Sequence, residues 1–335
     1  MGRDVERIMR AAANFVPDGY APKASAYLEN RKTLKVGPFS IKPHLVDHSG
    51  FDAYALEVEA DGRRLFYSGD LRAHGNKGKL FEVMLKRPPQ NIDVMLMEGS
   101  SLGRLNDDEQ FQSERELELR FIERFKATPG MVLVACSAQN IDRVVRIYRA
   151  AKQSGRTMVV DAYTAEVLKA TGSEHIPKPV RGWSKIAVYI PFRQRVLLKK
   201  KGIAPIVDSY RGFRLWPGQL AEHAPRSVML IRPWMLHDFD RADALTDARV
   251  IWSQWEGYLN EKEGAGAKLK QECEQRNIRF EVIHTSGHAS PVDLKRLAAA
   301  VAPKRLIPIH TFDRDRFPAL FDNVILVDDG ETIEV

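Results

Sequence analysis

The chain has 335 residues, room for two domains at about 150 residues each. Its 44% apolar and 28% charged residues set aside disordered, collagen-like and coiled-coil architectures. Lys and Arg number 51 against 44 Asp and Glu, a formal net charge of +7 that mildly favours acidic partners such as nucleic acid. Two cysteines, Cys136 and Cys273, exclude a disulfide framework and a Cys-rich zinc module and fit a reducing cytoplasm. No apolar run reaches the roughly 20 residues of a membrane span, and the first residues lack the apolar core of a signal peptide.

Val5, Ile8, Met9, Ala12 and Phe15 recur at helical spacing, so the chain opens on an amphipathic helix. Tyr54, Leu56 and Val58 then alternate with Glu57 and Glu59, and Asp61-Gly62 precedes a second run ending at Tyr67. An Asp-Gly pair between such runs predicts a type I′ hairpin. Residues 91–97 read as a buried strand ending at Glu98-Gly99-Ser100. The stretch 102–113 is polar, and Glu114 to Lys126 is a charged helix with Leu117, Phe121, Ile122 and Phe125 on one face. A strand from Met131, a helix closed by Gly155 and a strand from Thr157 make a βαβ unit and predict a parallel sheet. Further strands are expected at Ser227–Ile231, Val250–Trp252, Phe280–His284, Arg305–Ile309 and Asn323–Val327, with a helix over 291–302. Residues 261–268 have neither the spacing nor the preceding strand of a phosphate loop and read as a flexible linker.

Chemistry-bearing residues gather at strand ends. His48 follows Val46-Asp47, and Asp70 closes the hairpin in Tyr67-Ser68-Gly69-Asp70. His288 lies in Thr285-Ser286-Gly287-His288, between a strand and a helix. His310 ends the strand Ile307-Pro308-Ile309. Strand ends are rigid platforms beside solvent-exposed loops. His48 and Asp70 alone admit two readings: a His–Asp hydrogen bond in a turn, or a mixed nitrogen and oxygen site for zinc or manganese. Three histidines with Asp70 and Glu98, all at strand ends, favour the metal.

In this order the motifs resemble those of the metallo-β-lactamase fold and, within it, the β-CASP nucleases, ribonuclease J-like proteins included. Val46-Asp47-His48-Ser49 and Tyr67-Ser68-Gly69-Asp70 resemble the third and fourth metal motifs. Met97-Glu98-Gly99-Ser100 is similar to the acidic motif before the β-CASP insertion. Ser137-Ala138-Gln139-Asn140 resembles a substrate-facing turn of that insertion, and Ser286-Gly287-His288-Ala289 and Pro308-Ile309-His310-Thr311 resemble its later motifs. The resemblance spans residues 1–335. It implies an α/β chain: an αββα sandwich from 1–115 and 266–335, with a β-CASP-like cap over 116–265.

The resemblance also implies a hydrolase that cuts RNA with two divalent metal ions, zinc by preference. His48 would bind one ion, Asp70 would bridge both and His310 would bind the second. His288 would contact the scissile phosphate or protonate the leaving oxygen, with Glu98 orienting it or a bound water. Ser137, Asn140 and Ser286 would contact substrate. The family's main ligand motif, HxHxDH, has no counterpart; His44-Leu45-Val46-Asp47-His48 has the wrong spacing. The sequence therefore reads as a family member truncated at its N-terminus, with an exposed sheet edge or apolar face. A misplaced start, a complementing N-terminal polypeptide and a metal-poor relative remain open, and weak zinc binding with little nuclease activity is expected of this chain alone.

Between Lys178 and Arg214, ten cations face one acid, Asp208, and aromatic residues from Trp183 to Trp216 are interleaved among and beside them. This composition suits a single-strand track or a solvated face over an aromatic core. Within a β-CASP-like cap it favours RNA, with Lys199, Lys200 and Lys201 at its centre. Trp252, Trp255 and Tyr258 either line the cleft or pack the seam between domains. His74, His175, His223 and His237 show no ligand spacing. The expected partners are RNA and either a second copy or an N-terminal polypeptide, without a membrane. A non-catalytic RNA-binding subunit and a small-molecule metallo-hydrolase are the alternative functions.

Overall fold

In chain order the strands are β1 (Leu34–Val36), β2 (Phe39–Leu45), β3 (Tyr54–Ala60), β4 (Arg63–Tyr67), β5 (Val94–Glu98), β6 (Val132–Ala135), β7 (Thr157–Val160), β8 (Ile186–Tyr189), β9 (Arg214–Leu215), β10 (Ser227–Ile231), β11 (Arg249–Trp252), β12 (Arg279–Val282) and β13 (Arg305–Ile309). The first six helices are α1 (Arg3–Ala13), α2 (Lys79–Lys86), α3 (Glu114–Lys126), α4 (Ile141–Gln153), α5 (Ala162–Ala170) and α6 (Phe192–Lys200). This is a computed structural model describing all 335 residues. The chain divides into two units: Met1–Arg3, Ala24–Ser113 and Ser286–Val335 form the first, Asp4–Lys23 and Glu114–Thr285 the second.

The first unit holds a mixed six-stranded sheet in the order β1-β2-β3-β4-β5-β13. Strands β1 to β4 run antiparallel, and β4, β5 and β13 run parallel. Asp61 and Gly62 have φ of 50° and 74°, the doubly positive pair of the predicted hairpin turn. Successive side chains of a strand point to opposite faces. Phe66, Met95, Met97 and Leu306 face α2 and the helix Pro291–Val301, and form a core with Phe81, Leu294 and Leu297. Leu56, Val58, Leu65 and Leu96 occupy the other face and are only half-buried.

The second unit is built on a seven-stranded sheet in the order β12-β11-β6-β10-β7-β8-β9. Every pairing in it is parallel, and its central strands β6, β10 and β7 are near-continuous apolar runs, as burial on both faces requires. Arg143 of α4 is fully buried. Its guanidinium donates two bonds to Glu114 of α3, at 2.9 and 3.0 Å, and a third to the Ser253 carbonyl at the end of β11.

The units differ from the expected 1–115 plus 266–335 against 116–265. The helix α1 belongs to the second unit because Arg7 donates to the Ala170 and Thr171 carbonyls. Residues 266–285 belong there because β12 pairs with β11. The supposed linker is also corrected: Ala265–Gln275 is a helix that buries Leu269 and Cys273. Asn323–Val327 forms no strand; one bridge joins Leu306 to Val324. Both cysteines are free and buried. No helix is long and apolar enough to cross a membrane.

Candidate metal centre

Four strand ends and their loops bring the site together. The carboxylate of Glu98, at the end of β5, is fully buried. One oxygen accepts from the Leu71 backbone N–H at 3.0 Å and the other lies 2.9 Å from His288 Nδ1. Asp70 follows β4, and its Oδ1 lies 2.8 Å from Nδ1 of His310, which follows β13. Asp70, Glu98, His288 and His310 each offer one ligand atom, and these atoms all lie within 4.8 Å of one another.

His48 stands beside this group. Its Nδ1–H donates to the Gly287 carbonyl at 2.7 Å, and its Nε2 is 4.0 Å from Asp70 Oδ2. That arrangement fixes the ring and leaves the Nε2 lone pair aimed at the cluster, as for a metal-ligating histidine with a backbone acceptor behind it. A β-carbon on Gly287 would meet Ser49 Oγ at 2.5 Å and His48 at 3.4 Å, so only glycine admits this approach. His310 has φ of 50°, a conformation uncommon outside glycine that is sustained only where the surroundings impose it.

The loops are tied together behind the site. Arg72 and Asp47 form a fully buried ion pair at 3.2 Å. Arg72 and His74 both donate to the Ser286 carbonyl, at 3.3 and 2.8 Å. The segments around residues 47, 72 and 286 are thereby held in one frame.

Burial lowers the pKa of His48, against the raising effect of the Gly287 bond. Burial also acts to lower that of His288, but the hydrogen bond and charge of Glu98, with Asp70, outweigh it and the value is raised above 6.5. The donor set of two imidazoles and two carboxylates suits a borderline divalent ion.

The expected ligands Asp70 and His310 thus meet, and His48 adjoins them. Glu98 and His288, expected as catalytic residues, join the same cluster. The cluster itself supplies donors for one ion, and a second ion would have to draw on His48 and on groups outside it. Ser286 Oγ accepts from the His288 backbone N–H at 3.0 Å. Ser137 and Asn140 lie in the second unit, after β6. Asn140 caps α4 by accepting from Arg143 N at 3.1 Å, and Ser137 is exposed. Lys199 and Lys200 are exposed at the end of α6. Lys201 donates to the Ala13 and Val16 carbonyls, an anchor for the segment after α1.

Of the interleaved aromatics, Tyr189 and Tyr210 are core residues, whereas Phe192 and Trp216 are 66% and 45% exposed. Trp252 is buried, while Trp255 and Tyr258 are exposed and meet edge to face at 5.3 Å. The Asp47–Arg72 pair carries no mark of its own in the sequence. An Asp-His dipeptide at a strand end signals a partner, but not which arginine supplies it.

The fold is therefore a mixed α/β architecture with one wholly parallel sheet, carrying a carboxylate–imidazole cluster. It is shared with the crystal structure of a protein of unknown function from Enterococcus faecalis V583, with a TM-score of 0.75 at 20% identity over 99% of this chain and 74% of that one. No family model and no curated protein matches the chain.

Proposed function

We propose that the chain is a metal-dependent phosphodiester hydrolase acting on RNA, of the ribonuclease J kind, with the first unit as its metallo-β-lactamase sandwich portion and the second as its β-CASP-like cap. The observation that carries this reading is the convergence of Asp70, Glu98, His288 and His310 from three strand ends and a loop far apart in sequence, with ligand atoms within 4.8 Å. A divalent ion bound there supplies a Lewis acid for a phosphoryl oxygen and lowers the pKa of a water.

The chain's own groups divide the remaining work. Asp70 and His310 hold the ion, with His48 Nε2 directed at the same carboxylate. His288, tied through Nδ1 to Glu98, presents Nε2 as the proton donor to the leaving oxygen. Glu98 fixes the ring and raises its pKa, which favours the protonated imidazole. Exposed Lys199 and Lys200 attract the phosphate backbone.

The test is cleavage of a labelled single-stranded RNA with added zinc or manganese, beside a panel of esters and lactones. RNA cleavage that falls by about 10²–10⁴-fold in His288→Ala is expected. Turnover of the panel without the RNA would instead mark a small-molecule hydrolase. RNA binding without cleavage under either ion would mark a non-catalytic subunit.

A further inference from the structure

The parallel sheet of the second unit carries a groove whose lining shares no residue with the carboxylate–imidazole cluster. The connection leaving β7 runs to β8 on one side, and that leaving β10 runs to β11 on the other; β7 and β10 are neighbours. In open parallel sheets such a divergence opens a crevice beyond the carboxyl ends of the two strands, where ligands bind. Asp161 to Tyr163 follow β7, and Arg232 to Trp234 follow β10. A cavity of about 460 Å³ lies there, lined by Phe15, Tyr163, Arg193, Gln194, Arg232 and Trp234 among others, within the range of small-molecule sites.

Its chemistry is specific. The Arg232 guanidinium lies 4.4 Å from the Tyr163 ring centroid, and that of Arg193 5.5 Å from Trp234. Phe15 packs edge-on to Tyr163 at 5.5 Å. Arg232 is held from behind by Asp161, at 3.4 Å. Asp161 also accepts from Gln194 Nε2 at 2.6 Å. Gln194 is 6% exposed, and its Oε1 is buried with no hydrogen-bond partner. A buried acceptor without a donor carries a penalty that a ligand N–H can relieve. Lys200 adds a third cation, and no acidic residue lines the groove. Flat aromatic and guanidinium surfaces, an unfilled acceptor and excess positive charge together call for a planar, N–H-bearing ring joined to an anion.

We propose that this groove binds a nucleotide, its base against Tyr163, Trp234 and the Arg232 plane, an N–H donated to Gln194 Oε1 and its phosphate on Arg193 and Lys200. The nucleotide is either a free mononucleotide or the terminal residue of a strand. The proposal concerns binding alone and does not depend on the phosphodiesterase reading.

The full-length protein in EDTA, which silences metal chemistry, is titrated by calorimetry with AMP, UMP, inorganic phosphate and a 5′-phosphorylated tetraribonucleotide. Stoichiometric binding of a mononucleotide is expected, weakened about tenfold by Trp234→Ala and by Arg193→Glu, and kept by Trp234→Phe. Binding of the tetranucleotide alone, with the same sensitivities, supports the site and identifies a strand end as its ligand. Trp234 and Arg193 are exposed, and an unchanged thermal transition confirms that the variants fold. No binding of any nucleotide, phosphate binding as tight as nucleotide binding, or affinity unmoved by Trp234→Ala and Arg193→Glu would overturn the proposal.

Discussion

Glu98 and His288 show how burial divides labour between two titratable groups. The carboxylate is wholly enclosed, with one oxygen on the Leu71 N–H, so its other oxygen is committed to the imidazole. In metal-free protein this pairing raises the His288 pKa above 6.5. A raised native value means that the pair's contribution to stability is complete below about 6.5, the unfolded value. It is lost as pH rises through the native value. Proton NMR in EDTA is expected to find the His288 ring titrating above 6.5 in the native chain and falling back in Glu98→Gln. A titration unmoved by Glu98→Gln would detach His288 from Glu98. The residues of this cluster were legible in the sequence because Asp70, Glu98 and His310 stand at or just after strand ends beside turn residues, and His288 follows Gly287 just ahead of the helix Pro291–Val301. Their exact pairing was not: which carboxylate meets which imidazole is set by contacts across as many as 240 positions, as for His310 and Asp70.

Among the elements, α3 and α4 are fastened by the buried Arg143–Glu114 pair rather than by apolar packing alone. Removing one partner of such a pair leaves an unpaired charge in the interior. Glu114→Gln is therefore expected to cost about 3–5 kcal/mol, read as a lower midpoint in urea unfolding. A change below about 1 kcal/mol would show that water reaches Arg143. Helices α3 and α4 and strands β10 and β13 follow directly from apolar periodicity and turn residues. The helix Ala265–Gln275 was concealed by Gly264 and Gly266, which weaken helix propensity, while burial of Leu269 and Cys273 supplies the missing stabilisation. Asn323–Val327 has strand-like composition but lies beside β13 with a single bridge, and composition carries no information on available partners. The place of β10 between β6 and β7 is likewise a long-range outcome that local pattern does not encode.

For the whole molecule, the central consequence of the fold is that Asp70, Glu98, His288 and His310 converge only when β4, β5 and β13 are paired. The unfolded chain has no such site, so binding of an ion there would be coupled to folding and would stabilise the native state. His48, Asp70 and His310 alone suggest weak zinc binding; in the structure Glu98 and His288 lie in the same cluster as Asp70 and His310, which raises the expected affinity for one ion. The most direct measurement is zinc content after equilibrium dialysis of chelator-washed protein. The account expects one zinc per chain, a raised melting temperature on loading, and loss of both in a variant combining Asp70→Asn and His310→Ala. Zinc-free protein after dialysis, or zinc retained in that variant, would contradict it.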